Sequence, residues 1–196
     1  DLKSDLLKDL DRQKHVLDSY RGNPAIAESV LDEVIQKLDH CFEALNNLPG
    51  KIGHPLTEDD WLMAIRSRIV IPGGTCGFDL PAYHAWQHKP AVFRQAQLRD
   101  WAQALKPMAD TVHLLLKLLR DSGAPQKVIV NNGQWQLSLP QGRTFLLLRL
   151  AIDDSLEMVP EISGNRLMVS VRLMRQGEDN RLQTVTEDAS LELALC

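Results

Sequence analysis

The hydrophobic period of this chain changes once along its length, and that change limits the possible folds more than any other feature. Up to about Gly123 apolar residues recur every third or fourth position, the spacing of a helix that buries one face. Beyond Pro125 they alternate, the spacing of a strand that buries one side. Val128-Ile129-Val130, Asn131-Asn132-Gly133 and Trp135 to Leu139 read as strand, turn and strand, and Asn-Gly is the favoured hairpin turn. Residues 145–152 make an apolar strand. Leu167, Val169, Val171 and Leu173 alternate with Met168, Ser170, Arg172 and Met174, and Leu191, Leu193 and Leu195 repeat the pattern at the end. The expected class is α+β: an all-helical domain over residues 1–125, then a smaller antiparallel β-sheet domain over residues 126–196, with the boundary near residues 123–127.

Caps and breakers divide the helical part. Ser4 is placed to cap a helix whose face carries Leu6, Leu10, Leu17 and Tyr20, ending at Gly22. Asn23-Pro24 is a cap followed by a first-turn proline, and Ile26, Val30, Val34, Leu38, Cys41/Phe42 and Leu45 form the stripe that follows. Thr57 heads an acidic first turn for a helix through Trp61, Leu62, Ile65 and about Arg68. Pro72-Gly73-Gly74-Thr75-Cys76-Gly77 then forces a tight loop. Asp79 caps a short helix from Leu80 to about Gln87, and two more helices cover roughly residues 90–105 and 107–122. The stripe of the last one, Met108, Val112, Leu115 and Leu119, belongs in a helical core.

Charge is distributed unevenly, and this bears on partners. Residues 1–60 hold 7 Lys+Arg against 13 Asp+Glu, residues 61–120 hold 8 against 3, and residues 121–196 hold 7 against 10. A basic middle between acidic ends steers anionic partners, whether acidic peptides, proteins or nucleic acids. A nucleic-acid-binding module using residues 61–120 is therefore the alternative reading, though the net charge is −4 and no reader motif is present. No apolar run nears the ~20 residues of a membrane span. The 3 cysteines, Cys41, Cys76 and Cys196, are odd in number and widely spaced, which gives neither a disulfide framework nor a metal clamp and fits a reducing compartment. The chain opens on Asp1-Leu2-Lys3 with no initiator Met and no signal-peptide pattern, so the expectation is either that the sequence starts inside the natural protein or that its start has been lost.

Chemistry-bearing residues are few. His84 and His88 stand at i and i+4, a spacing that can hold zinc, but Ala85 occupies the zincin glutamate position and no third ligand is near in sequence. A surface pair offering hydrogen bonds to a partner is the preferred reading. Cys76, shortly before those histidines, suggests a Cys–His nucleophile but carries no thiol-hydrolase signature, and a small structural cysteine is the plainer account. The glycine loop lacks the Lys-Ser/Thr ending of a phosphate loop, and Asp153-Asp154 reads as a turn. No metal, cofactor, small-molecule substrate or active site is expected. Arg66, Arg68, Lys89, Arg94 and Arg99, with the two histidines, make up most of the basic middle; on their own, solvated helix faces would account for them.

The stretch Ile71-Pro72-Gly73-Gly74-Thr75-Cys76-Gly77-Phe78-Asp79-Leu80-Pro81, continuing through His84, Trp86 and His88, resembles the ZapD family of Z-ring-associated proteins. So do residues 6–13 (LLKDLDRQ), Glu161-Ile162-Ser163-Gly164 and the closing Leu191-Glu192-Leu193-Ala194-Leu195-Cys196, so that the similarity runs along nearly the whole chain. The resemblance implies a helical domain joined to a β domain, a symmetric homodimer, and binding to the C-terminal tail of FtsZ, whose protofilaments are bundled with lowered GTPase activity. It implies a cytoplasmic protein at the midcell division ring, with no catalysis or cofactor of its own and with no nucleic-acid or membrane partner. His84 matches a family histidine implicated in FtsZ binding, and Arg66 and Arg68 match basic positions; Arg66, Arg68, His84, His88 and Arg94 are the candidate partner-binding residues. Asp60 departs from an arginine found in a relative, and the family carries a further N-terminal segment with helix and basic surface that this chain lacks.

Overall fold

A computed structural model describes residues 1–196. The helices are α1 (Leu2–Asp18), α2 (Glu28–Asn46), α3 (His54–Thr57), α4 (Asp60–Arg68), α5 (Pro81–Gln87), α6 (Ala91–Gln103) and α7 (Lys106–Asp121). The strands are β1 (Gln126–Val130), β2 (Gln134–Ser138), β3 (Leu148–Ala151), β4 (Val159–Gly164), β5 (Met168–Gln176), β6 (Leu182–Thr184) and β7 (Ala189–Leu195). The α+β class expected from the change of period is therefore the observed one, helices first and antiparallel strands after. The chain forms two compact units, Asp1–Leu116 and Lys117–Cys196.

In the first unit α1 and α2 form an antiparallel pair. Lys3 Nζ donates to Leu48 O (2.6 Å), Lys14 Nζ meets Asp39 (2.5 Å), and Arg21 reaches Asp32 (2.8 Å), which fixes their register. Leu6 and Leu10 are buried with Leu31, Ile35, Leu38, Cys41 and Leu45. The α2 stripe thus differs from the expected one at its start: Val30 is exposed, Val34 is half-buried, and Leu31 and Ile35 face inward. Leu31, Ile35, Leu38 and Leu45 share one face, and Val30 lies about 100° from it at 3.6 residues per turn. Several caps differ too. Asp1 caps α1 in place of Ser4, the backbone of Ala27 precedes α2 without a side-chain cap, and Asp59 caps α4 while Thr57 closes α3. Leu80 precedes α5 and Asp79 does not cap it; Pro81 takes the first helical position. On α7 the expected core stripe is only half-buried. The fully buried residue there is Thr111, whose hydroxyl donates to Pro107 O (2.8 Å) and so needs no outside partner.

In the second unit two sheets share one core. One has the order β1-β7-β3; the other has the order β2-β5-β4, with β6 pairing β5, and all pairs are antiparallel. Val130, Val169, Val171, Leu173, Val185, Ala189 and Leu191 are buried together. The expected β1–β2 hairpin is reduced to its turn, closed by a single antiparallel bridge in which Gln134 N donates to Asn131 O (2.9 Å). The tight turn exists, with positive φ at Asn132 (49°) and Gly133 (68°), but β1 pairs with β7 and β2 with β5. The turn's backbone is engaged elsewhere: Gly133 N donates to Glu187 O (3.1 Å), and Leu173 N donates to Gly133 O (2.8 Å). The strand expected at residues 145–152 is shortened to β3, with Leu147 and Cys196 continuing its pairing to β7 by exchanging two backbone hydrogen bonds (3.1 and 2.9 Å). Leu167, expected inside, lies in the turn before β5 and is 69% exposed.

Candidate functional site

α4, α5 and α6 are held together by aromatic rings more than by aliphatic packing; none of the three carries a fully buried residue. Trp61 stacks on Trp101 (centroids 5.0 Å, 17° between planes), and Trp86 stands against Trp61 at 5.5 Å. Tyr83 stacks on Trp86 at 6.1 Å. Offset and tilted arrangements of this kind satisfy the ring quadrupoles, and the indole N–H groups need acceptors. Trp86 Nε1 donates to Gln97 Oε1 (2.8 Å) and Trp101 Nε1 donates to Asp59 Oδ2 (3.0 Å). Asp59 is also the α4 cap, accepting from Trp61 N (2.9 Å) and Leu62 N (3.0 Å) through Oδ1. Its carboxyl is held below the usual carboxylate range, chiefly by the Leu62 N–H, with the Trp101 indole and the Trp61 N–H adding to it and desolvation opposing it.

Between α4 and α5 the chain runs through successive tight turns. Space, more than backbone angle, dictates two of its glycines. A Cβ on Gly74 would lie 2.7 Å from Arg68 O, and one on Gly77 would lie 3.0 Å from His84 Nδ1. The loop therefore packs against the last residue of α4 at one end and against the α5 histidine at the other. This places the Arg66/Arg68 end of α4 and the His84 face of α5 on the two sides of one loop.

The candidate residues divide accordingly. Arg66 and Arg68 are exposed in the last turn of α4 and make no hydrogen bond or ion pair through their guanidinium groups; cations there also complement the helix dipole. His84 and His88 are exposed, their rings 4.4 Å apart, with His88 Nδ1 bonded to His84 O (2.8 Å). Arg94 is half-buried, its guanidinium 5.8 Å from the centre of the Trp86 ring and its Nε shielded without a partner. It is the one candidate built into the aromatic cluster. Cys76 donates to Asp79 Oδ2 (3.4 Å) rather than to a histidine. No group of three His, Cys, Asp or Glu side chains is placed to hold a metal ion, and no helix is long and apolar enough to cross a membrane.

The contrast with α1 and α2 is electrostatic. There Lys8, Arg12, Lys14, Arg21 and Lys37 all pair with carboxylates, whereas Arg66, Arg68, Lys89 and Arg99 pair with none. Between these free cations lie apolar side chains in water: Val70 is 82% exposed, Phe78 86% and Val92 79%. Reading the sequence alone passed over both the aromatic cluster and these apolar residues. The available signal was the placing of 3 of the chain's 4 tryptophans between positions 61 and 101.

Comparison with known proteins identifies the family. The sequence profile of the ZapD family, described as a cell division protein, matches residues 1–172. The cell division protein ZapD of Ralstonia pickettii is 47% identical over 197 residues, an alignment covering the whole of this chain and 78% of the relative. Those of Cupriavidus taiwanensis and Janthinobacterium are 44% and 43% identical, again over 100% of this chain and 78% of the relative. With a profile spanning most of its length and relatives this similar from end to end, the chain belongs to the ZapD family of cell division proteins.

Proposed function

We propose that this chain binds the C-terminal tail of FtsZ and, as a homodimer, cross-links and bundles FtsZ protofilaments at the midcell ring in the cytoplasm. In this reading it has no catalytic activity, cofactor or small-molecule substrate, and neither nucleic acid nor membrane is a partner. The observation that carries the reading, beside family membership, is the surface of α4 and α5. Arg66 and Arg68 stand exposed and unpaired, His84 and His88 lie across a shared loop, and Arg94 adds charge from its seat over Trp86. Unpaired guanidinium groups are free to take carboxylates in bidentate fashion, and exposed apolar neighbours such as Phe78 suit a segment of mixed charged and apolar character. One site per subunit in a dimer makes the molecule bivalent, so bundling follows from effective concentration without exceptional affinity.

Co-sedimentation with FtsZ filaments tests this. Charged contacts at a rim mainly set encounter rate and salt response, while hydrogen bonds to charged groups contribute about 1.5–3 kcal/mol each. Arg66→Glu and Arg68→Glu are expected to weaken co-sedimentation and bundling about tenfold or more while the circular dichroism melt stays unchanged. His84→Ala should act in the same direction and more mildly. FtsZ lacking its C-terminal tail should not be bundled at all. Folded charge-reversal variants that bundle as well as the parent would remove these residues from the site, and bundling of tailless FtsZ would remove the tail.

A further inference from the structure

The β unit holds a second set of free cations that the reading above does not use. Its strand and turn arginines are mostly engaged: Arg149 with Arg120 O (2.8 Å), Arg172 with Glu161 (3.0 Å), Arg175 with Glu187, and Arg181 with Asp179 (3.8 Å). Arg143 and Arg166 make no hydrogen bond or ion pair, and both line one cleft of about 810 Å³. Its walls are the segment after β2 (Leu139, Gly142, Thr144, Phe145) and the turn after β4 (Gly164, Asn165). No carboxylate lines it. The Asn165 carbonyl oxygen is already taken by Leu167 N and Met168 N, which leaves that side chain its donor end. Two guanidinium groups, a hydroxyl and an amide donor beside Phe145 and Leu139 make a site for an anion attached to something apolar.

A separate observation concerns β4, whose last residue, Gly164, is itself a wall of this cleft. β4 ends the order β2-β5-β4 and is exposed throughout. Asn165 N donates to Met168 O, and alternation along the antiparallel ladder then turns Ser163, Glu161 and Val159 toward β5. Pro160, Ile162 and Gly164 consequently present their backbone to the free edge. Pro160 has no N–H to offer, which is the usual way an edge is blunted, so the available groups are those of Ile162 and Gly164, at the cleft end. An extended chain pairing there would run toward Arg166.

We propose that the free edge of β4 and the Arg143/Arg166 cleft together form a docking site for an extended acidic peptide, separate from the helical site. Strand addition supplies main-chain hydrogen bonds, the arginines select carboxylates, and Phe145 and Leu139 accept apolar side chains between them. A peptide fits better than a polynucleotide because the open edge pairs with peptide backbone, and a phosphodiester chain has no matching groups.

The test is fluorescence anisotropy with a labelled peptide of alternating glutamate and valine, added to the full chain carrying Arg66→Glu and Arg68→Glu so that the helical cations do not contribute. Binding is expected in that background, to fall about tenfold or more when Arg143→Glu and Arg166→Glu are added. It should also fall with Ile162→Pro, which removes an outward N–H at an exposed position. Circular dichroism confirms that each variant is folded; the paired charge reversal, on surface loops, keeps the test open if the proline variant is not. Unchanged binding in the Arg143/Arg166 variant overturns the proposal. It is equally overturned if inorganic phosphate or oligothymidylate displaces the peptide at matching concentrations while Ile162→Pro binds as the parent does, since the cleft would then be a general anion patch. Because the helical cations are reversed throughout, none of these outcomes bears on FtsZ bundling through Arg66 and Arg68.

Discussion

Asp59 shows how much of this molecule's middle depends on single side chains. One of its oxygens closes the first turn of α4 and the other holds the Trp101 indole, so the same carboxylate starts a helix and ties it to α6. Asp60, next to it, does neither. Asp59→Ala is therefore expected to lower the melting temperature clearly more than Asp60→Ala, with loss of near-ultraviolet circular dichroism from the ring cluster. The pH response follows from the sign of the shift. The folded-state value lies below the ordinary 3.8, so the Asp59 contribution is fully present above that value and is lost as pH falls through and below it. Acid titration of the same dichroism signal should show the cluster loosening below about pH 4 in the parent, and Asp59→Asn should remove that pH dependence. Arg94 works differently. With its Nε shielded and unpartnered, Arg94→Lys keeps the charge but loses the planar group over Trp86, so the substitution is not conservative here.

At the scale of elements, periodicity identified helices and strands but not their partners. The alternation of Val169, Val171 and Leu173 showed which side of β5 is buried, and the structure buries that side. Nothing in the alternation of residues 126–139 showed that β1 and β2, joined by a good hairpin turn, would go to different sheets. That outcome is decided by β7 and β5, which lie far along the chain and whose buried faces need cover. Alternation specifies a face, and long-range pairing specifies the neighbour. In the same way the α2 stripe was misplaced at Val30 because both Val30 and Leu31 fit a run of apolar residues, and only packing against α1 separates them. The site was legible as a basic segment; its ring framework was not, because stacking joins residues up to 40 positions apart. The crossing between sheets has a testable requirement. A Cβ on Gly133 would lie 1.9 Å from Val185 O at φ +68°, whereas one on Gly142, also left-handed at +81°, meets nothing within 4 Å. Gly142→Ala should cost about 1–2 kcal/mol. Gly133→Ala should cost more, since backbone must also move, and urea denaturation of the two variants checks the order.

For the whole molecule the organising quantity is where charge is left uncompensated. The acidic first 60 residues neutralise most of their own cations, while the cations of α4 to α6 and of the β unit's cleft stay free. Association through free surface charges is screened once the Debye length shrinks, from about 30 Å at 0.01 M to about 3 Å at 1 M salt. The proposed bundling of FtsZ should therefore decline steadily with added salt, and the Arg66→Glu/Arg68→Glu variant should show a flatter salt dependence; a parent response with no salt dependence would contradict an electrostatic site. We also propose residues 1–125 and 126–196 as the two domains, to be checked by expressing each stretch alone and recording its dichroism spectrum. The ring cluster has an optical consequence as well. Trp61, Trp86 and Trp101 are in mutual contact in the helical unit, and Trp135 on β2 is the only tryptophan elsewhere. Replacing Trp135 with phenylalanine would confine all indole emission to α4, α5 and α6, the helices that carry Arg66, Arg68, His84 and Arg94. The intrinsic fluorescence of such a protein becomes a label-free monitor of that one surface, so that a partner docking there can be followed by colour and intensity without attaching a dye.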